Sequence, residues 1–180
     1  MSILKVARMG HPVLRARTPP LDLDEIGTPA IQRLIDDMFD TMREYEGIGL
    51  SAPQVHASLR LFVAGVDDPD ATLRPVVMIN PEIEPLGRTV EEDWEGCLSI
   101  PDVRGRVPRP AEIRVRALDR HGHQQQMTAD GFPARVIQHE TDHLDGVLFM
   151  DRMTSFESLT FLEEYGRYWE KPAEEVKVGR

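Results

Sequence analysis

Residues 139–143 read His-Glu-Thr-Asp-His, inside a stretch whose apolar spacing is helical. On a helix, positions i and i+4 lie roughly 40° apart around the axis, so His139 and His143 stack on one face. Two imidazoles in that geometry can grip one divalent metal, and Glu140 is placed to act on a water bound to it. The plainer reading is an amphipathic helix that happens to carry two histidines and a glutamate. Two histidines do not make a stable site, so a metal centre here needs a third ligand from elsewhere in the chain.

The bulk properties allow such a site. At 180 residues the chain is large enough to bury one substantial core, and 41% hydrophobic with 29% charged residues is ordinary for a globular protein. One catalytic domain is expected over residues 1–170, with a frayed polar tail at 171–180. A net charge of −10 argues against direct nucleic-acid binding. No apolar run approaches the ~20 residues of a membrane span. The start, Met1-Ser2-Ile3-Leu4-Lys5, lacks the apolar stretch of a secretory signal, so a cytoplasmic location is expected. Cys97 is the single cysteine, which excludes an intramolecular disulfide and leaves it as a ligand, a nucleophile or a buried apolar residue.

Thr28-Pro29 opens the first strong helical pattern, because proline at the first helical position gives up only an unpaired N–H. Ile31, Leu34, Ile35, Met38, Phe39, Met42 and Tyr45 follow at helical spacing, with Gly47 as the expected stop. Between 60 and 130 the period falls towards two. Strands are expected at 61–66, 75–80, 88–94 and 112–118, and Asp119-Arg120-His121-Gly122 turns into another at 124–128. His121 and His123 are simplest as turn residues facing solvent. A second helix is expected over 131–144, capped by Asp130 and ended at Gly146, with Phe132, Val136, His139, Glu140 and His143 on one face. A third is expected from Thr154 or Ser155, where Thr154 and Glu157 make a capping box, carrying Phe156, Leu159, Leu162, Tyr165 and Trp169. The fold class is α+β, with antiparallel strands around the central His-Glu-x-x-His helix, an N-terminal core helix and a C-terminal helix.

Two residues compete as third ligand. A metzincin pattern would place a histidine at 149, where this chain has Phe149. A thermolysin-like arrangement takes a glutamate about twenty residues past the second histidine, and Glu163 stands there, although Glu163-Glu164 on a helix also reads as a solvated face. Cys97 lies at the end of a strand and before Pro101, where a side chain can point into a cleft; its thiolate suits iron or zinc. A cysteine-protease arrangement with His139 as base leaves the matched histidine pair unexplained. Gly47, Gly49 and Ala52 fit a loose nucleotide fingerprint, but a helix precedes them and Pro53 follows. A tight segment whose backbone lines a cleft, with Gln54 offering an amide, fits better.

Taken together, Gly-Ile-Gly-Leu-Ser-Ala-Pro-Gln at 47–54, Glu-Gly-Cys-Leu-Ser at 95–99 and His-Glu-Thr-Asp-His at 139–143 resemble the three motifs of the peptide deformylases, in the same order. The resemblance covers about 47–151, and 10–15 is also similar. The departure is Ser51 for the usual alanine. The resemblance implies that Cys97, His139 and His143 are the metal ligands and that Glu140 is the catalytic carboxylate. It further implies that Gln54 and the Leu98 backbone N–H serve the reacting carbonyl, and that Gly49 contacts the substrate. It implies Fe(II) as the working metal, with zinc, nickel or cobalt able to replace it, and N-formylmethionyl peptides as substrates, with formate released.

Ile48, Phe132 and Val136 are then the expected walls of a pocket for the methionine side chain. Arg135 is expected beside it, its stem along the rim and its charged head in water. Asp142 is expected to pair with Arg104 or Arg109 and orient the site. Transient association with the ribosome is expected from a nascent-chain substrate; six acidic against four basic side chains from Ser155 onward argue against docking through a basic C-terminal helix. A silent paralogue that only binds formylated peptides would need neither Glu140 nor Gln54.

Overall fold

The computed structural model describes residues 2–68 and 70–170; the polar tail expected to fray, 171–180, lies outside them. A short helix α1 (Leu23–Ile26) precedes the core helix α2 (Pro29–Glu44). Thr28 caps α2 through its side chain and Pro29 is its first residue. The stop differs from the expected one. Glu46 takes the left-handed turn (φ 54°) and Gly47 N–H closes onto Met42 O at 2.8 Å. Gly47 is there for room, since a Cβ on it would lie 2.9 Å from Leu98 Cδ1.

Five antiparallel strands make the main sheet, in the order β1 (Gly49–Ser51), β2 (Leu61–Ala64), β3 (Val76–Pro85), β6 (Glu112–Leu118), β7 (Gln124–Asp130). A separate sheet holds β4 (Val90–Cys97) and β5 (Ile100–Pro110), which form a long hairpin, and β8 (Thr160–Phe161) on the far edge of β5. All four residues of β2 are buried because both faces are covered. Leu61 and Val63 pack with Ile35, Met38 and Met42 of α2. Phe62 and Ala64 point the other way, into a second cluster with Ala134, Ile137 and Leu144. Each fully buried aliphatic or aromatic side chain here contributes about 1.5–3 kcal/mol.

Those last three residues belong to α3 (Gly131–Leu144), which lies between the two sheets. Asp130 stands at its cap position without a side-chain capping bond. Gly146, in the left-handed region at φ 73°, ends the turn beyond it; a Cβ there would lie 2.6 Å from Arg15 O. A further short helix, α4 (Phe149–Arg152), closes a third apolar cluster with Leu14, Ile100 and Val107.

The third helix does not start at Thr154. Ser155 caps a single 3-10 turn, Phe156–Ser158, and the chain then pairs with β5 through β8 before α5 (Leu162–Tyr168) begins. An edge of β5 was open to be paired, and tertiary pairing overrode the local helix signal. The 11-residue β5 was not expected either, because Pro101, Gly105, Pro108 and Pro110 interrupt its pattern.

Candidate metal centre and catalytic cleft

Cys97 ends β4, and the register with β5 slips between Glu95 and Cys97. The slip falls at Gly96, where a Cβ would lie 2.0 Å from Arg104 Nη1, so only glycine lets Arg104 cross there. The re-aimed Cys97 side chain faces the polar side of α3. Its Sγ lies 3.3 Å from His143 Nε2, and the ligating atoms of Cys97, His139 and His143 all fall within 4.8 Å of one another. Ligands of a single tetrahedral ion, at ~2.3 Å for sulfur and ~2.0 Å for nitrogen, stand roughly 3.3–3.5 Å apart, so this donor set fits one small divalent metal. Glu163 is exposed and pairs with Arg167, away from the three. The thermolysin-like alternative therefore fails on geometry.

Glu95 supports the centre from β4. Its Oε2 accepts from His139 Nδ1 at 2.9 Å, which leaves Nε2 as the ring nitrogen for a ligand. Burial alone would push the Glu95 carboxyl up, but hydrogen bonds from Arg109 and His139 outweigh it and hold the group well below the usual carboxylate range. Burial also works against a Cys97 thiolate, and the charge of His143 with hydrogen bonds from both histidines more than offsets it, so the thiol is held well below its ordinary value.

Arg109 was one of two arginines expected to pair with Asp142, and it is the one that does, at 2.6 Å, while its Nε reaches Glu95 Oε1 at 2.8 Å. Arg104 instead donates to its neighbour Val103 O. Arg152 adds a further bond to Asp142 at 2.7 Å. Glu95 and Arg152 carry roles the sequence reading did not give them. Glu95 was within reach of it, since it opens the Glu-Gly-Cys-Leu-Ser segment that carries Cys97. Arg152 offered no signal.

Arg135 corrects an expectation. Its head is not in water: the residue is 7% exposed, and Nη1 donates to Glu95 Oε1 at 2.8 Å and Val107 O at 2.7 Å, while Nη2 donates to Glu91 O at 2.8 Å. A guanidinium has five donors in a rigid fork, and the hairpin β4–β5 supplies more acceptors than the rim would.

A cleft of about 610 Å³ opens above the centre, lined by Gly49, Gln54, Cys97, Leu98, His139 and Glu140. Ile48, Phe132 and Val136 line it as well. Phe132 is half exposed at its mouth, while Val136 is buried. Glu140 is buried, and burial pushes its carboxyl up to about 7 against the opposing pull of His139 and His143. Its Oε2 has no hydrogen-bond partner among the described residues. Gln54 is fully buried in a 3-10 turn, Ala52–Val55. Its Oε1 accepts from Ser51 N at 2.8 Å and from Ser51 Oγ at 2.9 Å, which turns Nε2 towards Cys97 Sγ at 3.5 Å. The Ser51 that departs from alanine thus adds one donor that fixes the orientation of the amide. His121 and His123 stay exposed on the β6–β7 turn, away from the centre.

Fold and site together define a metal-dependent hydrolase: a Cys-His-His donor set and a buried carboxylate at the floor of an open cleft. The polypeptide deformylase family model matches residues 3–158, and the chain belongs to that family, hydrolases that remove the N-formyl group from nascent polypeptides. Peptide deformylase 2 of Ralstonia nicotianae is 44% identical over 167 residues, covering 89% of this chain and 93% of that one. Peptide deformylase 1 of Nitrosomonas europaea is 43% identical over 166 residues, with 89% and 93% covered. Among solved structures, a Met-Ala-Ser-bound class I type b peptide deformylase from Acinetobacter baumannii superposes with TM-score 0.80 at 38% identity, covering 84% of this chain and 99% of that one. The peptide deformylase of Thermotoga maritima gives 0.77 at 38% identity, with 86% and 100% covered.

Proposed function

We propose that Cys97, His139 and His143 hold one divalent metal, ferrous iron in the cell, and that Glu140 is the acid–base group of deformylation. The observation that carries this is the convergence of three buried donors beside a buried carboxylate whose Oε2 has no hydrogen-bond partner among the described residues. When bound, the ion supplies Lewis-acid chemistry that activates water near neutral pH. Glu140 takes the proton of the attacking water and later delivers it to the departing amine. Formate and a free amino terminus are the products. Nε2 of Gln54 and the backbone N–H of Leu98 stabilise charge on the formyl oxygen, where one lost donor typically costs about 3 kcal/mol. Gly49, packed on Glu140, contacts the substrate from β1. Ile48, Phe132 and Val136 wall the methionine pocket.

The substrate read this way is an N-formylmethionyl peptide, and the Met-Ala-Ser complex of the Acinetobacter relative supports that choice. Residues 1–170 act as one catalytic domain. Nascent formylated chains emerge at the ribosome, so transient association there and a cytoplasmic location belong to the proposal. No helix among the described residues is long and apolar enough to cross a membrane.

The test is formate release from formyl-Met-Ala-Ser by protein loaded with Fe(II) without oxygen. No release sinks the reading. The metal is tested separately: the iron form should lose activity in air, through oxidation at the open ferrous site and its thiolate, while a nickel form keeps it. Equal decay of both counts against iron as argued.

A further inference from the structure

We infer that Arg135 is a positioning residue for the metal centre, acting through Glu95 on His139, and does not read the substrate. The inference rests on the assignment of Cys97, His139 and His143 as ligands.

Arg135 lies one helical turn before His139 on α3, so both side chains leave the helix on the same side. That side faces the β4–β5 hairpin. Arg135 Nη1 spans from Glu95 Oε1 on β4 to Val107 O on β5, and its Nη2 takes Glu91 O further along β4. One guanidinium thereby fixes three points of the hairpin relative to α3. Glu95 is the point that matters chemically. Its Oε1 is shared by Arg135 and Arg109, at 2.8 Å each, and its Oε2 is left for Arg109 and the ring N–H of His139. With Oε1 held by two cations, the carboxylate cannot swing away from His139. The imidazole then keeps its proton on Nδ1 and presents Nε2 to the ion.

Arg109 alone would leave Glu95 a pivot about one side chain. Arg135 supplies the second, from the same helix that carries the histidines, so that carboxylate and imidazole are referred to one rigid element. In a side chain this buried, both terminal nitrogens of the fork are engaged by the hairpin. Arg135 also lines the cleft.

Three proteins decide the matter: the parent, Arg135→Met, which keeps an unbranched apolar stem, and Arg135→Lys, which keeps the charge but loses the fork. Each is stripped of metal and titrated with Ni(II), following thiolate-to-metal absorbance. The tautomer of His139 is read from ring nitrogen NMR shifts. Arg135→Met should bind Ni(II) about tenfold to a hundredfold more weakly, the usual loss when support of a ligating histidine is removed. Arg135→Lys should fall between the two, and it carries the test by itself should the methionine variant not fold. In the nickel-loaded proteins kcat should fall while KM for formyl-Met-Ala-Ser stays within about twofold.

Ni(II) affinity and ring signals like the parent's in both variants, whatever happens to thermal stability, would overturn the inference and leave Arg135 a structural brace. A KM change confined to peptides with acidic residues after methionine would overturn it in favour of substrate reading. A parent that binds no Ni(II) would overturn the ligand assignment itself, and the inference with it.

Discussion

An ideal Cβ built on Gly49 lies 2.3 Å from Oε1 of Glu140 and 2.7 Å from its Cγ and Cδ. Strand β1 therefore rests directly on the carboxylate. Gly49 does not have a left-handed backbone, so alanine adds no backbone strain, and the clash with Glu140 is the whole effect. Gly49→Ala should stay folded and lose on the order of 100-fold in kcat, the scale of loss when a reacting group is displaced by ~1 Å. Turnover with circular dichroism on the same sample checks it. Activity within about threefold of the parent would mean the carboxylate position is not critical.

Glu140→Gln keeps the shape of the side chain and removes its ability to accept a proton. Metal content and melting temperature should hold, while turnover drops by about 100-fold or more. A variant retaining a tenth of parental turnover would exclude Glu140 as the base.

Cys97→Ala and Glu163→Ala separate the two candidate third ligands. The first should release the metal and abolish turnover. The second removes an exposed residue paired with Arg167 and should change neither metal content nor turnover. Metal content is measured by elemental analysis after dialysis. Retention of stoichiometric metal by Cys97→Ala would reverse the assignment.

Ser51→Ala removes one of two donors to Gln54 Oε1 and leaves the backbone donor in place. A single buried hydrogen bond contributes about 1 kcal/mol, so kcat should fall roughly threefold to tenfold with KM little changed. The Gln54 side-chain amide signals should broaden in NMR as its orientation loosens. Sharp, unshifted amide signals would show that the hydroxyl is idle.

Asp151 provides a pH test away from the centre. Its carboxyl is held below the ordinary value by hydrogen bonding to Arg15, against a smaller opposing effect of burial, and it also accepts from Leu148 N at 2.7 Å at the start of α4. A depressed folded pKa stabilises the protein above the unfolded pKa of about 3.9, and that stability is lost as pH falls through the folded value. Asp151→Asn should thus be less stable than the parent at pH 6, and the gap should close as pH falls below about 4. With both side chains over a third exposed, the ion-pair part is under about 1 kcal/mol. Urea melts across that range decide it, and a gap independent of pH would remove the charge from the explanation.

Much of this was legible where local and tertiary signals agree. Thr28-Pro29 set the start of α2, and Asp119 to Gly122 set the β6–β7 turn, because caps and tight turns depend on a few adjacent residues. The ligand-bearing helix showed itself through its own period. Strand β5 did not. Arg106 N–H donates to Ser158 Oγ on the side away from β4, so Pro108 and Pro110, in the same phase, place their missing donors on that outer edge. A sequence cannot reveal which edge stays unpaired. The same limit hid Arg135: the family resemblance put it beside the pocket, but only the hairpin packed across α3 shows the acceptors that draw its head inward.

Glu95 on β4 and Asp142 on α3 are joined by Arg109, so the sheet that carries the cysteine and the helix that carries the histidines are already fastened to each other by protein alone. An ion is not needed to bring the donors together. If the three donors hold a metal as proposed, one ion can leave and another enter while the chain stays folded.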